Sequence, residues 1–411
     1  MNTSHLNFQI RSYMSYKGQK TDHDYYQILF NKLPYEIVFK EDYYNLRLLY
    51  DSFKNYPNCN ILTFEGVDFY NVVEFEFMLN LVNDTKQIDD LRFKIINIHN
   101  YINELTKFIK NNHTIKALRL HISSITNEDL KLLCEAIKEN DTLTTLDLSS
   151  NDTFSNIEPI CDLIQINKNI SELIFKNVYK CDFIPLIETL KTNNTLKKIK
   201  LYDTKQLYNE FFDMVLKNNS LNHVSYRCSD TVNLSKVKQI LQTKENITKF
   251  SLYRVRSDDW TPLIEGLKQN KTITYLNLNR CNIINEIYSQ IYEYIGHSQI
   301  IKIAKLNHLE SSTDDNFDGL MKALCSNTSL VKLDIHKFLI KDVSYYLKVI
   351  FKHPKLQKCN AYISYEHRQI IYDILHSVTD FPNIGYQSCF QYKKFFESTD
   401  KDKQIKNFIK A

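Results

Sequence analysis

The chain has 411 residues and a formal net charge of +4 at pH 7, from 52 basic and 48 acidic side chains. This near balance argues against a nucleic-acid binder that acts through its total charge, and only 6 Gly and 7 Pro argue against long flexible linkers. The first residues lack a basic segment followed by an apolar run, and no stretch of about 18 apolar residues occurs. We therefore expect neither a secretory signal nor a membrane span.

Residues 1–58 form the predicted N-terminal lead-in and cap. Leu33–Lys40 is a short apolar run, and Glu41–Asn55 has helical spacing. The strand-like motif Cys59–Phe64 and a helical stretch over Asn71–Leu81 follow. We interpret these segments as two degenerate repeats, because an array of repeats needs an atypical end unit to cover its core.

The motif L-x-x-L-x-L recurs between residues 59 and 378. Its clearest copy contains Leu143, Leu146 and Leu148, with the spacing of a short strand whose alternate side chains enter a core. One such unit cannot bury its apolar side alone, so recurrence every 25–30 residues indicates one continuous array of eleven to twelve repeats. The first apolar positions of the eleven phased copies are Ile88, Ile115, Leu143, Ile170, Leu196, Leu221, Ile247, Ile273, Ile300, Leu330 and Leu356.

Segments between the strand motifs have helical spacing, as in Asn127–Lys138 and Trp260–Gln269. Asn127 and Ser257 are the predicted N-caps of these two helices. Strand, turn, helix and turn therefore form the repeating unit. The predicted fold is an α/β leucine-rich-repeat solenoid, curved and right-handed, with parallel strands on the concave face and helices on the convex face.

The helix ends share the pattern N-x-[ST], which formally matches a glycosylation acceptor. We interpret these asparagines as helix stops instead, because Asn tolerates the left-handed conformation that ends a helix. The six copies begin at Asn112, Asn140, Asn193, Asn218, Asn270 and Asn327.

The spacing is least regular towards the C-terminal end of the array. The residues from Ile300 to Leu306 allow more than one strand register, and the turn Glu310–Asp315 is the expected insertion. A last helix is predicted near His367–Val378. Residues 379–411 carry several aromatics, which indicates a C-terminal cap or tail.

The nine cysteines include no C-x-x-C pair and no cluster with zinc spacing. We interpret them as small buried side chains in a reducing compartment, with Cys134 and Cys325 in matching helices and Cys359 at a strand core position. No metal, cofactor or catalytic residue is predicted. The polar residues His121, His223, His336 and Asp147 lie in different repeats, without the partners that nucleophilic or paired-carboxylate chemistry needs.

Repeats of this length, as in the phrase from Ala136 to Leu148, resemble the ribonuclease-inhibitor type of leucine-rich repeat. That family also contains the sensor domains of NOD-like receptors, the Ran GTPase-activating protein and the C-terminal domain of tropomodulin. The resemblance implies the fold over residues 59–378. No P-loop motif, long acidic tail or heptad segment accompanies the repeats here, so the resemblance implies only the repeat domain.

The side chains between the apolar strand positions are expected to face outward on the concave face. Four of them are acidic: Asp90, Asp147, Glu172 and Asp334. Eleven are basic: Arg92, Lys94, Arg119, Lys176, Lys198, Lys200, Arg227, Lys249, Lys302, Lys332 and Lys358. Tyrosines in the middle repeats offer contact area at a small entropic cost, and basic side chains attract an acidic partner.

These observations predict a non-enzymatic interaction scaffold in the cytoplasm, with the nucleus or, for a bacterial effector, the host cytoplasm as alternatives. The predicted ligand is a protein with an acidic stretch, and the oligomeric state stays open. The predicted protein-binding residues are Lys198, Lys200, Tyr202, His223, Arg227, Lys249, Tyr253 and Tyr275.

Three other functions are compatible with parts of the sequence. Single-stranded nucleic acid suits aromatics among basic residues, but the four acidic residues on the same face disfavour it. A GTPase activator similar to the Ran protein could use Arg254, Arg256 or Arg280 in a loop after a strand. Leu-Pro-x-Glu-Ile at Leu33–Ile37 resembles the start of an F-box, a ubiquitin-ligase adaptor. An F-box needs about 40 residues that form three packed helices, whereas this sequence reaches a strand-like repeat by Cys59.

Overall fold

The computed structural model describes residues 36–40, 59–67, 69–202, 207–306, 314–339 and 342–362. The predicted helices at Glu41–Asn55 and His367–Val378, most of the turn Glu310–Asp315, and the tail 379–411 lie outside these residues. The chain divides into two compact units, Met1–Glu210 (unit 1) and Phe211–Ala411 (unit 2). The predicted array boundaries at residues 58 and 378 stay predictions.

Unit 1 contains parallel strands, each hydrogen-bonded to the next in chain order. Its strands are β1 (Glu36–Lys40), β2 (Ile61–Glu65), β3 (Asp90–Lys94), β4 (Ala117–His121), β5 (Thr145–Asp147), β6 (Glu172–Lys176) and β7 (Lys198–Tyr202). Its helices are α1 (Val72–Thr85), α2 (Ile102–Asn111), α3 (Asn127–Lys138), α4 (Glu158–Ile166) and α5 (Ile184–Leu190), with a 3-10 turn at Ile98–Tyr101.

Unit 2 repeats this arrangement, after a helix α6 (Tyr208–Lys217) that includes the unit boundary. Its strands are β8 (His223–Arg227), β9 (Lys249–Tyr253), β10 (Tyr275–Asn277), β11 (Ile303–Lys305), β12 (Lys332–Leu339) and β13 (Lys358–Tyr362). Its further helices are α7 (Ser235–Thr243), α8 (Thr261–Gln269), α9 (Asn285–His297), α10 (Asp314–Ser326) and α11 (Val343–Lys352). The strands again pair in parallel and in chain order. This confirms the predicted α/β leucine-rich-repeat solenoid.

The apolar strand positions form the core, as the spacing predicts. Ten of the eleven marker residues are buried, and the exception is Ile300. The pairing of Leu276 with Ala304 makes Ile301, Ala304 and Leu306 the core positions of that repeat. The register that starts at Ile300 had placed Lys302 on the outer strand face. In the structure Lys302 precedes β11, and Lys305 lies on the outer strand face instead.

The helix-end asparagines do not adopt the predicted left-handed conformation; Asn112 and Asn270, for example, have extended backbones. Each Asn side chain caps the next strand instead: Oδ1 of Asn140 accepts from the backbone N–H of Thr142 and Leu143, at 3.0 and 2.7 Å. Its Nδ2 donates to the Ile109 and Asn112 carbonyls of the preceding repeat. We call these side chains the asparagine ladder, whose members are Asn112, Asn140, Asn167, Asn193, Asn218, Asn270 and Asn327.

Other residue types occupy the ladder position in three repeats of unit 2. Oγ of Ser298 accepts from the Ile301 N–H, and Nδ1 of His353 accepts from the Leu356 N–H. At the third position, Nζ of Lys244 donates 2.9 Å to the Asn218 carbonyl. Asn167 was missed by the N-x-[ST] pattern because Asn169 stands where the pattern requires Ser or Thr.

Left-handed backbone occurs at the C-cap Lys86 of α1 and at several positions just after strands, where it includes two β-branched residues. Ile95 and Ile122 have φ values of 57° and 54°. The corresponding positions of the next two repeats, which are also left-handed, are occupied by Ser150 and Asn177. A β-branched side chain is strained in this region. Ile95 and Ile122 are also 56% and 53% exposed, so burial of their side chains does not offset the strain.

Ile122→Asn is therefore expected to raise the free energy of unfolding by about 1 kcal/mol, because Asn tolerates the left-handed region better than Ile. Urea denaturation followed by circular dichroism would measure the change. The control is Ile166→Asn, since Ile166 is 60% exposed but lies in helix α4. Equal effects at the two sites would contradict the strain interpretation.

Two predicted N-caps were wrong. Thr126, not Asn127, caps α3 in a capping box with Asp129, whose N–H donates to the Thr126 hydroxyl at 3.2 Å. Trp260 precedes α8, and Oδ1 of Asp259 accepts from the N–H of Thr261 at 2.9 Å. Ser257 lies in the preceding loop, where its hydroxyl donates to the Val232 carbonyl.

Most of the cysteines in the described residues are buried, as predicted. Burial raises the pKa of Cys161 to about 11 and that of Cys281 to about 12. Cys325 is an exception because it is exposed, so its interpretation as a buried side chain was wrong. Cys389 lies outside the described residues.

Candidate functional site

The outer strand face consists of the strand side chains that alternate with the core positions. On β9, for example, Phe250 and Leu252 enter the core, whereas Lys249, Ser251 and Tyr253 share the outer face. Each unit has its own part of this face. The predicted site divides accordingly, with Lys198, Lys200 and Tyr202 on β7 of unit 1 and the other five residues on β8 to β10 of unit 2.

The first part of the unit 1 face is neutralised by its own carboxylates. Asp90 contacts Arg92 at 2.7 Å and Arg119 at 3.0 Å. Nε2 of His121 lies 3.0 Å from Oδ2 of Asp147, which Arg119 approaches at 3.7 Å. This arrangement leaves little net charge to attract a ligand.

The pKa values of the two buried carboxylates reflect these contacts. Burial acts to raise the pKa of Asp147, but contacts with His121 and Ser149 outweigh burial and hold the pKa below its usual value. Arg92 and Arg119 do the same for the pKa of Asp90. Both carboxylates therefore stay ionised, which suits a structural role on this part of the sheet.

The three predicted residues on β7 have different environments. Lys198 is ion-paired with Glu172 on the neighbouring strand β6. The ring of Tyr202 lies 5.8 Å from Nζ of Lys176. Lys200 stands opposite the apolar Ile174 in the strand register, and burial together with the positive charge of Lys198 lowers the pKa of Lys200 to about 8.

The five predicted residues of unit 2 lie on three successive strands, and four of them make aromatic contacts. The Arg227 guanidinium lies 5.1 Å from the centre of the Tyr253 ring. The rings of His223 and Tyr275 are 6.1 Å apart, and Nζ of Lys305 lies 5.7 Å from the Tyr275 ring. Lys249 is exposed between them on β9. The structure thus brings these five residues together on one face.

Arg280 joins this group from the turn after β10. Its guanidinium lies 5.7 Å from the Tyr253 ring, so two guanidinium groups contact one tyrosine. Sequence reasoning considered Arg280 only for GTPase activation, together with Arg254 and Arg256. Its position could have indicated this contact: Arg280 stands two residues after the core residue Leu278, in the turn that follows β10, and β10 pairs with the strand of Tyr253.

The described ion pairs of unit 2 join helices rather than strands. They are Lys236 with Asp213, Lys238 with Glu265, and Lys268 with Glu293. On the described outer positions of β8 to β12, Asp334 is the one carboxylate. The unit 2 face therefore combines basic side chains with tyrosine rings, in contrast to the carboxylate-neutralised part of unit 1.

A row of small polar residues crosses the middle of this face. Ser225, Ser251 and Asn277 pair in register on β8, β9 and β10. They are 1%, 2% and 8% exposed although their strand position faces outward. The sequence map of charged and aromatic residues missed this row, because Ser and Asn at strand positions carry no distinctive pattern.

Within the described ranges, no group of three His, Cys, Asp or Glu side chains could hold a metal ion. No helix of the described part of the chain is long and apolar enough to cross a bilayer.

No protein-family model and no curated protein matches the chain. The fold is similar to the yeast Rad7 and Elc1 complex, at 15% identity and a TM-score of 0.45, over 77% of this chain and 75% of that chain. It is also similar to an internalin, InlF, from Listeria monocytogenes, at 11% identity and a TM-score of 0.36, over 76% and 77% of the two chains. The assignment of the leucine-rich-repeat solenoid fold rests on the repeat spacing and parallel strand register of the chain itself.

Proposed function

We propose that this protein is a non-enzymatic interaction scaffold that binds a protein partner through the outer strand face of unit 2. The partner is expected to carry an acidic stretch. The observation that carries the proposal is the contact of Arg227, Arg280 and Lys305 with tyrosine rings, on a face with a single described carboxylate. Lys200 on unit 1 is a separate candidate contact, since it stands beside Ile174 rather than a carboxylate.

Tyrosine suits this role because it offers a large contact area with only two side-chain torsions, and arginine suits it because its planar guanidinium donates several hydrogen bonds and stacks on aromatic rings. Residues of these types dominate the binding energy of many protein interfaces. A guanidinium stacked on a ring is held in place before a partner arrives, which lowers the ordering cost of association. The repeat length and the three-turn helices also support assignment to the ribonuclease-inhibitor type.

The backbone of Glu36–Lys40 bears on the F-box alternative. This segment follows the Leu-Pro motif and pairs with β2 as a parallel strand. An F-box is built of helices, so the strand supports the interpretation of this segment as a degenerate repeat.

The double variant Lys249→Glu/Arg280→Glu is expected to lose the partner. Both side chains are exposed, so the exchange reverses two charges beside the Tyr253 and Tyr275 rings, here called the aromatic cluster, with little effect on the core. Affinity should fall by about 10- to 100-fold for two contacts of this kind, and 0.3 M salt should weaken the wild-type complex by screening. The measurement is affinity capture from lysate, followed by titration with a peptide of the captured partner's acidic stretch.

The control is Lys217→Glu/Lys322→Glu, which makes the same charge change at exposed positions on helices of unit 2. A partner that binds all three proteins equally would contradict the proposal and move the contact to another surface. Circular dichroism should show that each variant folds like the wild type.

A further inference from the structure

The small polar row on unit 2 forms the floor of a trough, defined here by Ser225, Ser251 and Asn277. Larger side chains stand on both sides of it in the strand register. His223 and Tyr275 lie on the amino-terminal side, and Arg227 and Tyr253 on the carboxyl-terminal side. The floor residues are only 1–8% exposed between these larger neighbours, and no side chain larger than serine or asparagine occupies the row.

Ser251 is the residue that points to a ligand. Its hydroxyl is buried and has no hydrogen-bond partner, although it lies on the outward side of the strand. A buried hydroxyl without a partner is unfavourable for folding, and native proteins leave few of them. The hydroxyl is therefore available as a donor to a group that enters the trough from outside.

The surroundings of the trough favour an anion with more than one charge. Arg227 and Arg280 contact Tyr253 at one side of the trough, and Lys249 is exposed beside Ser251 on the same strand. Lys305 lies over Tyr275 but stands opposite Asp334 of β12 in the strand register, so the other three groups supply the positive charge. A single carboxylate would neutralise one of these groups, whereas a phosphate monoester carries a charge of about −1.5 to −2 and three strong acceptor oxygens.

We propose that the trough binds the phosphate group of a phosphorylated side chain on the protein partner. The Ser251 hydroxyl would donate to one phosphate oxygen, and Arg227 and Arg280 would supply charge-assisted hydrogen bonds. This inference rests on the proposed function, because it specifies the chemistry of the acidic partner on the same face.

The first test uses peptide libraries with a fixed central phosphoserine, phosphotyrosine, serine or glutamate among random flanking residues. A phosphorylated library is expected to be retained at least about 10-fold better than its serine or glutamate counterpart, because hydrogen bonds to a dianion are the stronger ones. Equal retention of the glutamate library, or no retention of either phosphorylated library, would overturn the proposal.

Ser251→Ala separates a ligand contact from a structural role. We expect about a 10-fold loss of phosphopeptide affinity, together with a rise of about 2–4 °C in the midpoint of thermal unfolding, because an unsatisfied buried hydroxyl is removed. The control is Ser289→Ala, which removes an exposed hydroxyl from helix α9 of the same unit. Unchanged affinity in Ser251→Ala would overturn the assignment of this hydroxyl.

Phosphatase treatment of the lysate distinguishes failure of this inference from failure of the proposed function. Capture of the partner should fall at least 10-fold after treatment. A partner that survives treatment yet is lost in Lys249→Glu/Arg280→Glu would overturn the phosphate proposal and leave the scaffold function intact. Binding of a single-stranded RNA with the same dependence on Ser251 would overturn both proposals.

Discussion

Asn140→Ala is expected to lower the free energy of unfolding of unit 1 by about 3 kcal/mol. Asn140 is 4% exposed, and its amide makes four hydrogen bonds to backbone groups. Alanine would leave two N–H groups and two carbonyl groups without these partners. Each buried polar group that stays unsatisfied costs about 1–3 kcal/mol, partly recovered where water enters.

The asparagine ladder also predicts that the cost of an alanine substitution varies with the burial of the asparagine that is replaced. Asn327 is 0% exposed, so Asn327→Ala should cost about as much as Asn140→Ala. Asn193 and Asn270 are partly exposed, and water can replace part of their bonds. Alanine at either position should therefore cost less than at Asn140.

Two probes distinguish the units in this experiment. Trp260 is the only tryptophan and lies buried in unit 2, so its fluorescence follows the unfolding of the unit that contains Asn327. Circular dichroism with amide hydrogen exchange at residues 109–143 follows unit 1. The control is Asn103→Ala, at an exposed position of helix α2, and should change the free energy by less than about 0.5 kcal/mol. A cost below about 1 kcal/mol at Asn140 would contradict the ladder interpretation.

The ladder also shows how far the sequence could predict this fold. The apolar spacing located the core because it records burial directly, and Leu143, Leu146 and Leu148 are each buried. The spacing gave the wrong core position at Ile300, because two consecutive isoleucines fit two strand registers. The pairing of β11 with β10 shows that Ile301 is the core residue. The asparagines were recognised as helix ends, but their mechanism depends on carbonyl groups of the preceding repeat, which no local pattern reveals.

The charge map predicted the candidate site only in part. It counted Arg92 and Arg119 as available basic residues, whereas Asp90 pairs with both and Asp147 places a second carboxylate near Arg119. Repeat phase gives the row of each side chain, but such pairing also depends on rotamers, which repeat phase does not give. The aromatic cluster around Tyr253 was anticipated as a composition, but the stacking of Arg280 on its ring required the turn after β10.

Lys200→Met is expected to stabilise the protein at pH 7, by up to about 3 kcal/mol. Burial lowers the pKa of Lys200 to about 8 from a usual value of 10.5, so holding its charged form in the folded protein is unfavourable. Methionine keeps the length of the apolar stem and removes the charge. Urea denaturation of both proteins at pH 7 measures this difference.

The pH dependence gives a sharper test of the same residue. Between pH 8 and 10.5 the unfolded chain binds a proton at Lys200 that the folded chain has already released, so wild-type stability should rise with pH across this window relative to Lys200→Met. The control is Lys197→Met, an exposed neighbour, which should run parallel to wild type. Parallel curves for wild type and Lys200→Met would contradict the burial of this amine.

The same shift bears on the proposed role of Lys200 as a partner contact. An acidic side chain beside Lys200 would favour its protonated form, so binding above pH 8 would take up a proton and weaken as pH rises. Lys200→Met should remove this pH dependence while lowering affinity, whereas Lys197→Met should change neither. A residue that weakens the fold when charged, and strengthens binding when charged, is retained for binding rather than for stability.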